Sequence, residues 1–356
     1  MLVPVDIPPG VVRTGTRYQT KGRWWDANLV RFIDGMGRPV GGWSRATSTP
    51  LTGKVRALLG WRANGGQRYL AAGASNKLYA TANTATFSDI TPTGLATGFD
   101  DATETIGYGG GNYGAGTYGT ARTSGSYRPP TTWQLDTWGE FLVACHSQDG
   151  RLFEWQLNLA NPAAVISNAP TQCRGLIVSE QRHLIALGAG GNPRKVQWSQ
   201  KENNTLWAPA ANNEAGSFDL QTPGTIQRAA RVRGQILIVT DVDAHAMTYI
   251  GQPFIFSRDR VGSNCGTISP NALVEFNGGA VWFSDKRFWL YDGATVRPLP
   301  SDVSDYVFND INYVQSGKVF GGHNGEFGEV WWFYPSRASN ENDRYVVWNY
   351  RENLWT

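Results

Sequence analysis

Along this chain of 356 residues, short runs of apolar and β-branched positions alternate with Gly-led or polar turns, and apolar positions rarely recur at helical spacing. The repeating unit is a turn, four to six β-favouring residues, a polar turn, and a second strand rich in aromatics. It occurs six times. The first three copies are GQRYLAAGASNKLYAT from Gly66, GEFLVACHSQDGRLFEW from Gly139 and QRHLIALGAGGNPRKVQWS from Gln181. The others are GQILIVTDVDAHAMTYIG from Gly234, GGAVWFSDKRFWLYDG from Gly278 and GEVWWFYPSRASNENDRYVVWNY from Gly328. Successive starts lie 73, 42, 53, 44 and 50 residues apart, and four of these spacings match the ~40–50 residues of a propeller blade.

A strand with one face in water should alternate apolar and polar residues. Ile236, Leu237, Ile238 and Val239 do not, nor do Phe288, Trp289, Leu290 and Tyr291. Apolar side chains on both faces, with no helices to cover them, imply sheets packed between sheets, the arrangement of propeller blades; a sandwich or barrel is the alternative. One helical pattern stands out near 301–315, where Val303, Tyr306, Val307, Asp310, Ile311 and Val314 trace a spacing of three to four, with Ser301 or Asp302 placed to cap it. Asn64-Gly65, Asp149-Gly150 and Asp292-Gly293 supply hairpin turns. The predicted fold is all-β, a propeller of about six blades spanning 51–356, with one short surface helix. Residues 1–50 read as an N-terminal arm or cap. Residues 92–131 read as an inserted loop, which accounts for the widest spacing.

The net charge of +3 gives no electrostatic case for nucleic-acid binding. The cations are lopsided, however, with 25 Arg against 7 Lys, beside 15 Trp and 14 Tyr. Arg, Trp and Tyr are enriched at protein interfaces, although a Trp-rich β core also consumes rings. Cys145, Cys173 and Cys265 are odd in number and far apart, and read as reduced core thiols. The N-terminus lacks a basic segment followed by an apolar one, and no apolar run approaches the ~18 residues of a membrane span, so a cytoplasmic origin and no membrane segment are expected.

Candidate chemistry is sparse. Gly114-Ala115-Gly116-Thr117-Tyr118-Gly119 matches a dinucleotide fingerprint in letters, but it runs toward Pro129-Pro130 instead of opening a helix after a strand. The same loop carries Tyr108, Tyr113 and Tyr118 at intervals of five, an arrangement suited to contact with a neighbouring chain. His146, His183, His245 and His323 sit in different units, none in metal-ligand spacing with another His or Cys. Asp241, Asp243 and His245 would share a face of a strand, yet their place between two apolar strands favours a turn. No nucleophile elbow and no Asp box occur, so no catalytic residue, cofactor or metal is assigned. Trp24-Trp25 and Trp331-Trp332 could stack on sugars, but large rings more commonly serve as core or interface anchors.

Several long segments resemble virion proteins of short-tailed bacteriophages, specifically the tail hub or nozzle. They are PPGVVRTGTRYQTKGRWWDANLVRFIDGMGRPVGGW, the unit RYLAAGASNKLYA closing on Ser88-Asp89-Ile90-Thr91-Pro92, GAGTYGTAR leading to WQLDTWGEFLVACHSQDGRLFEW, and VFNDINYVQSGKVF through RYVVWNYRENLW. The resemblance covers nearly the whole chain. It implies a non-enzymatic propeller subunit assembled as a homo-oligomeric, usually hexameric, ring in the virion tail. That ring would hang below the portal and its adaptor proteins, contact tail fibres or spikes, retain packaged DNA, and pass it outward without sequence-specific binding. Residues expected at subunit or partner contacts are Arg13, Arg17, Arg23, Trp24, Trp25 and Arg31 of the arm, with Tyr108, Tyr113 and Tyr118 of the loop. The chain stops directly after its last aromatic strand, where such proteins tend to continue, so the arm is expected to complete the propeller unless the chain is short. A carbohydrate-binding propeller for receptor recognition is the alternative.

Overall fold

The computed structural model describes residues 7–45, 47, 50–82, 86–104 and 127–356. Six four-stranded antiparallel sheets follow one another along the chain, each ordered as the sequence runs, which makes a six-bladed propeller. Blade 1 comprises Val55–Arg62, Arg68–Ala74, Lys77–Thr81 and Ser88–Asp89; blade 2, Trp133–Trp138, Phe141–His146, Leu152–Trp155 and Ala164–Val165. Blade 3 comprises Gly175–Val178, Leu184–Leu187, Lys195–Trp198 and Gly216–Asp219; blade 4, Ile226–Val232, Gln235–Thr240, Ala244–Gly251 and Ile255–Gly262. Blade 5 comprises Leu273–Phe276, Gly279–Phe283, Phe288–Tyr291 and Val296–Leu299; blade 6, Phe320–Asn324, Glu329–Pro335, Asn342–Asn349 and Leu354–Trp355.

The sequence repeat coincides with the turn between the first and second strands of each blade. Gly66, Gly139, Gly234, Gly278 and Gly328 hold φ between 63° and 86° there, a region that costs an L side chain and suits glycine. In blade 3 the position falls to Arg182, at φ 64°. The two-sided apolar strands fill the gaps between blades. Separate apolar clusters join blades 1 and 2, 2 and 3, 3 and 4, 4 and 5, and 5 and 6. Each fully buried large side chain in them contributes about 2–3 kcal/mol. Indoles add directed bonds across the gaps: Trp133 Nε1 donates to the Ala74 carbonyl at 2.6 Å, and Trp332 Nε1 to the Ala272 carbonyl at 2.9 Å.

Closure between blades 6 and 1 differs, because polar contacts hold it. Arg56 forks onto Glu341 with both contacts at 2.9 Å, Lys54 reaches the same carboxylate at 2.6 Å, and the buried Lys318 ammonium meets Glu341 at 3.1 Å and Asp101. Gln315 exchanges two hydrogen bonds of 3.0 Å with the backbone of Ala102. The base of the inserted segment therefore braces the ring. Thr103–Glu104 and Tyr127–Arg128 pair as a short ladder at that base, so the expected loop has a stranded stem.

The helix spans Ser304–Asp310 and buries Val307, with a 3-10 turn at Tyr313–Lys318 following it. Neither predicted cap serves it. The N-cap position falls to Val303, which has no side-chain acceptor; Ser301 Oγ accepts from Val303 N–H, and the Asp302 carbonyl accepts from Arg13 N–H and Thr14 Oγ1 of the arm. No helix among the described residues is long and apolar enough to cross a membrane.

Candidate functional site

Among its described residues the arm supplies no blade strand, and blade 6 has its four strands without it. It folds against blades 5 and 6 instead. Val11 N–H donates to the Trp355 carbonyl at 2.7 Å, alongside the last strand of blade 6, and Val11 and Phe32 enter the blade 5–6 core. Val30–Ile33 and Met36–Pro39 form a separate hairpin whose two-residue turn, Asp34-Gly35, has both φ values positive. That Asp-Gly pair was a legible hairpin signal in a segment read simply as an arm.

The predicted contact residues divide into two sets. Arg31 turns inward, donating to Glu329 at 2.9 and 3.0 Å with its guanidinium 3.6 Å over Phe327. Arg13 lies 3.7 Å over the Tyr306 ring, and both Arg13 and Arg17 stand 5.4 Å from the half-buried Trp25. Arg17, Arg23 and Trp24 remain exposed, with Trp24 resting on Phe32. Tyr108, Tyr113 and Tyr118 lie outside the described residues. The arm adds exposed rings that sequence reading passed over: Tyr18 is 92% exposed and Trp43 78%, the latter edge-on to Trp331. Among the described residues, five of the thirteen exposed large apolar side chains belong to this short segment. Of the paired tryptophans, Trp331 is 7% exposed and Trp332 fully buried, so both are core rings.

The polar clusters do not assemble a relay. Asp241 caps a turn by accepting from Thr225 N–H, and Asp243 accepts from Thr240 Oγ1 at 2.7 Å. His245 meets Thr222 Oγ1 at 3.0 Å and Asp243 at 3.2 Å through one and the same nitrogen, Nε2; a nucleophile–base–orienter triad needs both ring nitrogens. Buried His183 contacts the Ser199 carbonyl through Nδ1 at 2.8 Å and faces Glu214 at 3.3 Å, and burial lowers its pKa. Burial pushes the Cys173 and Cys265 thiols up to about 12, and Cys145 is also raised. The described residues contain no group of three His, Cys, Asp or Glu able to hold a metal ion.

The first strands of all six blades line an axial cavity of about 270 Å³. Arg231 of blade 4 crosses it to Asp136 of blade 2, with contacts of 2.6 and 3.1 Å, and also donates to the Val178 carbonyl of blade 3. Glu275 of blade 5 accepts Arg231 N–H at 3.0 Å. A second, larger cavity of about 640 Å³ is lined among others by Thr132, Arg174, Gln227 and Ser316.

No family model matches the chain, and no curated protein matches it. Among solved structures, the extracellular domain of a hybrid two-component system from B. thetaiotaomicron aligns with TM-score 0.40 at 10% identity, over 81% of this chain. This chain spans 37% of that structure's length. BBS1N in complex with ARL6DN gives TM-score 0.42 at 14% identity, covering 80% of this chain and 76% of that one. Virginiamycin B lyase from Staphylococcus aureus gives 0.39 at 7% identity, covering 81% and 92%.

Proposed function

We propose that the chain is a structural subunit of a phage tail hub or nozzle, assembled as a homo-oligomeric ring that binds head-to-tail adaptor proteins, carries fibres or spikes, retains packaged DNA and lets it out. The observation that carries this reading is the concentration of exposed rings and exposed arginines on the arm, Arg17, Tyr18, Arg23, Trp24 and Trp43. Because the arm is stitched to blades 5 and 6, these side chains are presented on a rigid frame, which lowers the ordering cost of association. DNA would pass between subunits, since the propeller's own axis is a cavity of about 270 Å³ crossed by Arg231 and Asp136. Sedimentation and electron microscopy of the purified protein, alone and with tail adaptor proteins, test the reading. Closed rings are expected, and a monodisperse monomer at high concentration with no ring in virions would sink it.

A second reading, receptor glycan binding, draws on Trp43 alone, whose open ring is backed by Trp331 at 6.4 Å as a sugar platform would be. A glycan array decides between the two: binding lost in Trp43→Ala with the ring intact favours the glycan.

A further inference from the structure

The axial cavity is lined by two guanidinium groups and two carboxylates, and of these four Arg228 and Glu275 make no ion pair among the described residues. Arg231 is satisfied by the Asp136 fork and the Val178 carbonyl. Arg228, three residues earlier on the same innermost strand, lines the same space and donates Nη1 to Asn271 Oδ1 at 2.6 Å. No carboxylate lies within ion-pair distance of it among the described residues; Asp136 and Glu275 attract it only through space. Burial disfavours its charged form, yet a guanidinium stays protonated in any protein environment. Arg228 is half-buried, and the N–H donors it does not give to Asn271 are open to the cavity, where water or a ligand oxygen can accept from them.

The geometry points to a small-oxyanion site in the propeller axis, in which Arg228 receives a phosphate or carboxylate. Three features suit that ligand class. The guanidinium fork matches two oxygens of one anion, a fit that water cannot reproduce with charge. The cavity of about 270 Å³ holds one such anion with several waters, each water claiming ~30 Å³. The Asp136 and Glu275 carboxylates along the same shaft repel anything strongly polyanionic, which selects small ligands over nucleic acid. The site uses residues of a single propeller and is independent of ring assembly.

Calorimetric titration of the full chain in chloride buffer with inorganic phosphate, and separately with acetate, tests the inference. One site per chain is expected, with a melting temperature that rises with ligand by mass action. Binding of phosphate alone would define a tetrahedral ligand, and binding of both a general oxyanion site. Arg228→Gln should weaken binding at least tenfold. Should that variant fail to fold, Asn271→Asp replaces the amide with a built-in counter-charge for Arg228 and should abolish binding in a folded protein. Neither anion binding to the wild-type chain, or binding unchanged in Asn271→Asp, overturns the proposal.

Discussion

Arg31 and Glu329 form a fork-to-carboxylate pair across 298 residues of sequence, joining the arm hairpin to the second strand of blade 6 at 2.9 and 3.0 Å. Trp331 Nε1 donates to the same carboxylate at 2.9 Å, and the Glu329 side chain is only 2% exposed. Removing the guanidinium would leave an acid buried with a single indole donor. Arg31→Ala is therefore expected to destabilise the protein by about 3–5 kcal/mol, whereas Arg31→Met combined with Glu329→Gln should recover most of that loss. Urea denaturation of the single and double variants checks this, and equal losses in both would show that the pair is not the source.

Gly73, in the second strand of blade 1, lies flat against the Trp133 ring of blade 2. A Cβ there would stand 2.5 Å from two ring atoms, and the ring cannot retreat because its Nε1 is held by the Ala74 carbonyl. Gly73→Ala should cost about 1–3 kcal/mol through overpacking, although alanine is ordinarily the better strand residue. Thermal melts would show the loss, and a rise in melting temperature would mean that the blades can separate freely.

Much of this frame could be read in the sequence, for a definite reason. The turn between first and second strands needs positive φ in every blade, so Gly66, Gly139, Gly234, Gly278 and Gly328 punctuate the chain at the blade period. Two-sided burial likewise leaves unbroken apolar runs such as Ile236–Val239. Some outermost strands gave no signal, since pairs such as Ser88–Asp89 and Ala164–Val165 are short and largely exposed. The division of the arm's residues into buried and exposed was only partly legible. Arg31 and Arg17 look alike in sequence, and what separates them is a glutamate almost 300 residues away that claims one of them. The axial charges were hidden for the same reason, because Asp136, Arg228, Arg231 and Glu275 meet only when the ring closes.

Closure of the ring by charge makes it sensitive to acid. Burial tends to raise the Glu341 pKa, but hydrogen bonds from Arg56 and Lys54 and the attraction of Arg56 outweigh it and bring the group down to about 2, from an ordinary 4.5. Its contribution is present above pH 4.5 and is lost as the pH falls toward 2; with the carboxylate partly in water, it amounts to about 1 kcal/mol. His146 acts at a higher pH. Burial lowers its pKa, while Nε2 contacts the Ser75 carbonyl at 2.9 Å and Nδ1 accepts from Asp149 N–H, a neutral tautomer that protonation would disrupt. Stability should thus begin to fall as the pH drops below 6.5 and fall again below 4.5. Urea midpoints measured from pH 7 to pH 3 check both stages, and Glu341→Gln should shrink the lower one, to which Asp149 and Asp89 also contribute, while leaving the upper.

Trp43 and Trp331 touch, yet their truncations should separate assembly from stability. Trp331 is nearly buried among Phe333 and Tyr345 and donates to Glu329, so Trp331→Ala removes core area and a buried hydrogen bond, at an expected cost of about 3–5 kcal/mol. Trp43 presents most of its surface to solvent, and Trp43→Ala should alter folding stability by less than about 0.5 kcal/mol. If the arm is the contact surface of a ring, the same Trp43 change should shift the sedimentation profile from ring toward monomer, because exposed aromatic anchors carry a disproportionate share of association energy. Parallel melting and sedimentation runs on the two variants read both quantities. A Trp43→Ala protein that melts normally and still forms rings would remove Trp43 from the interface and leave Tyr18, Trp24 and the two exposed arginines to carry it.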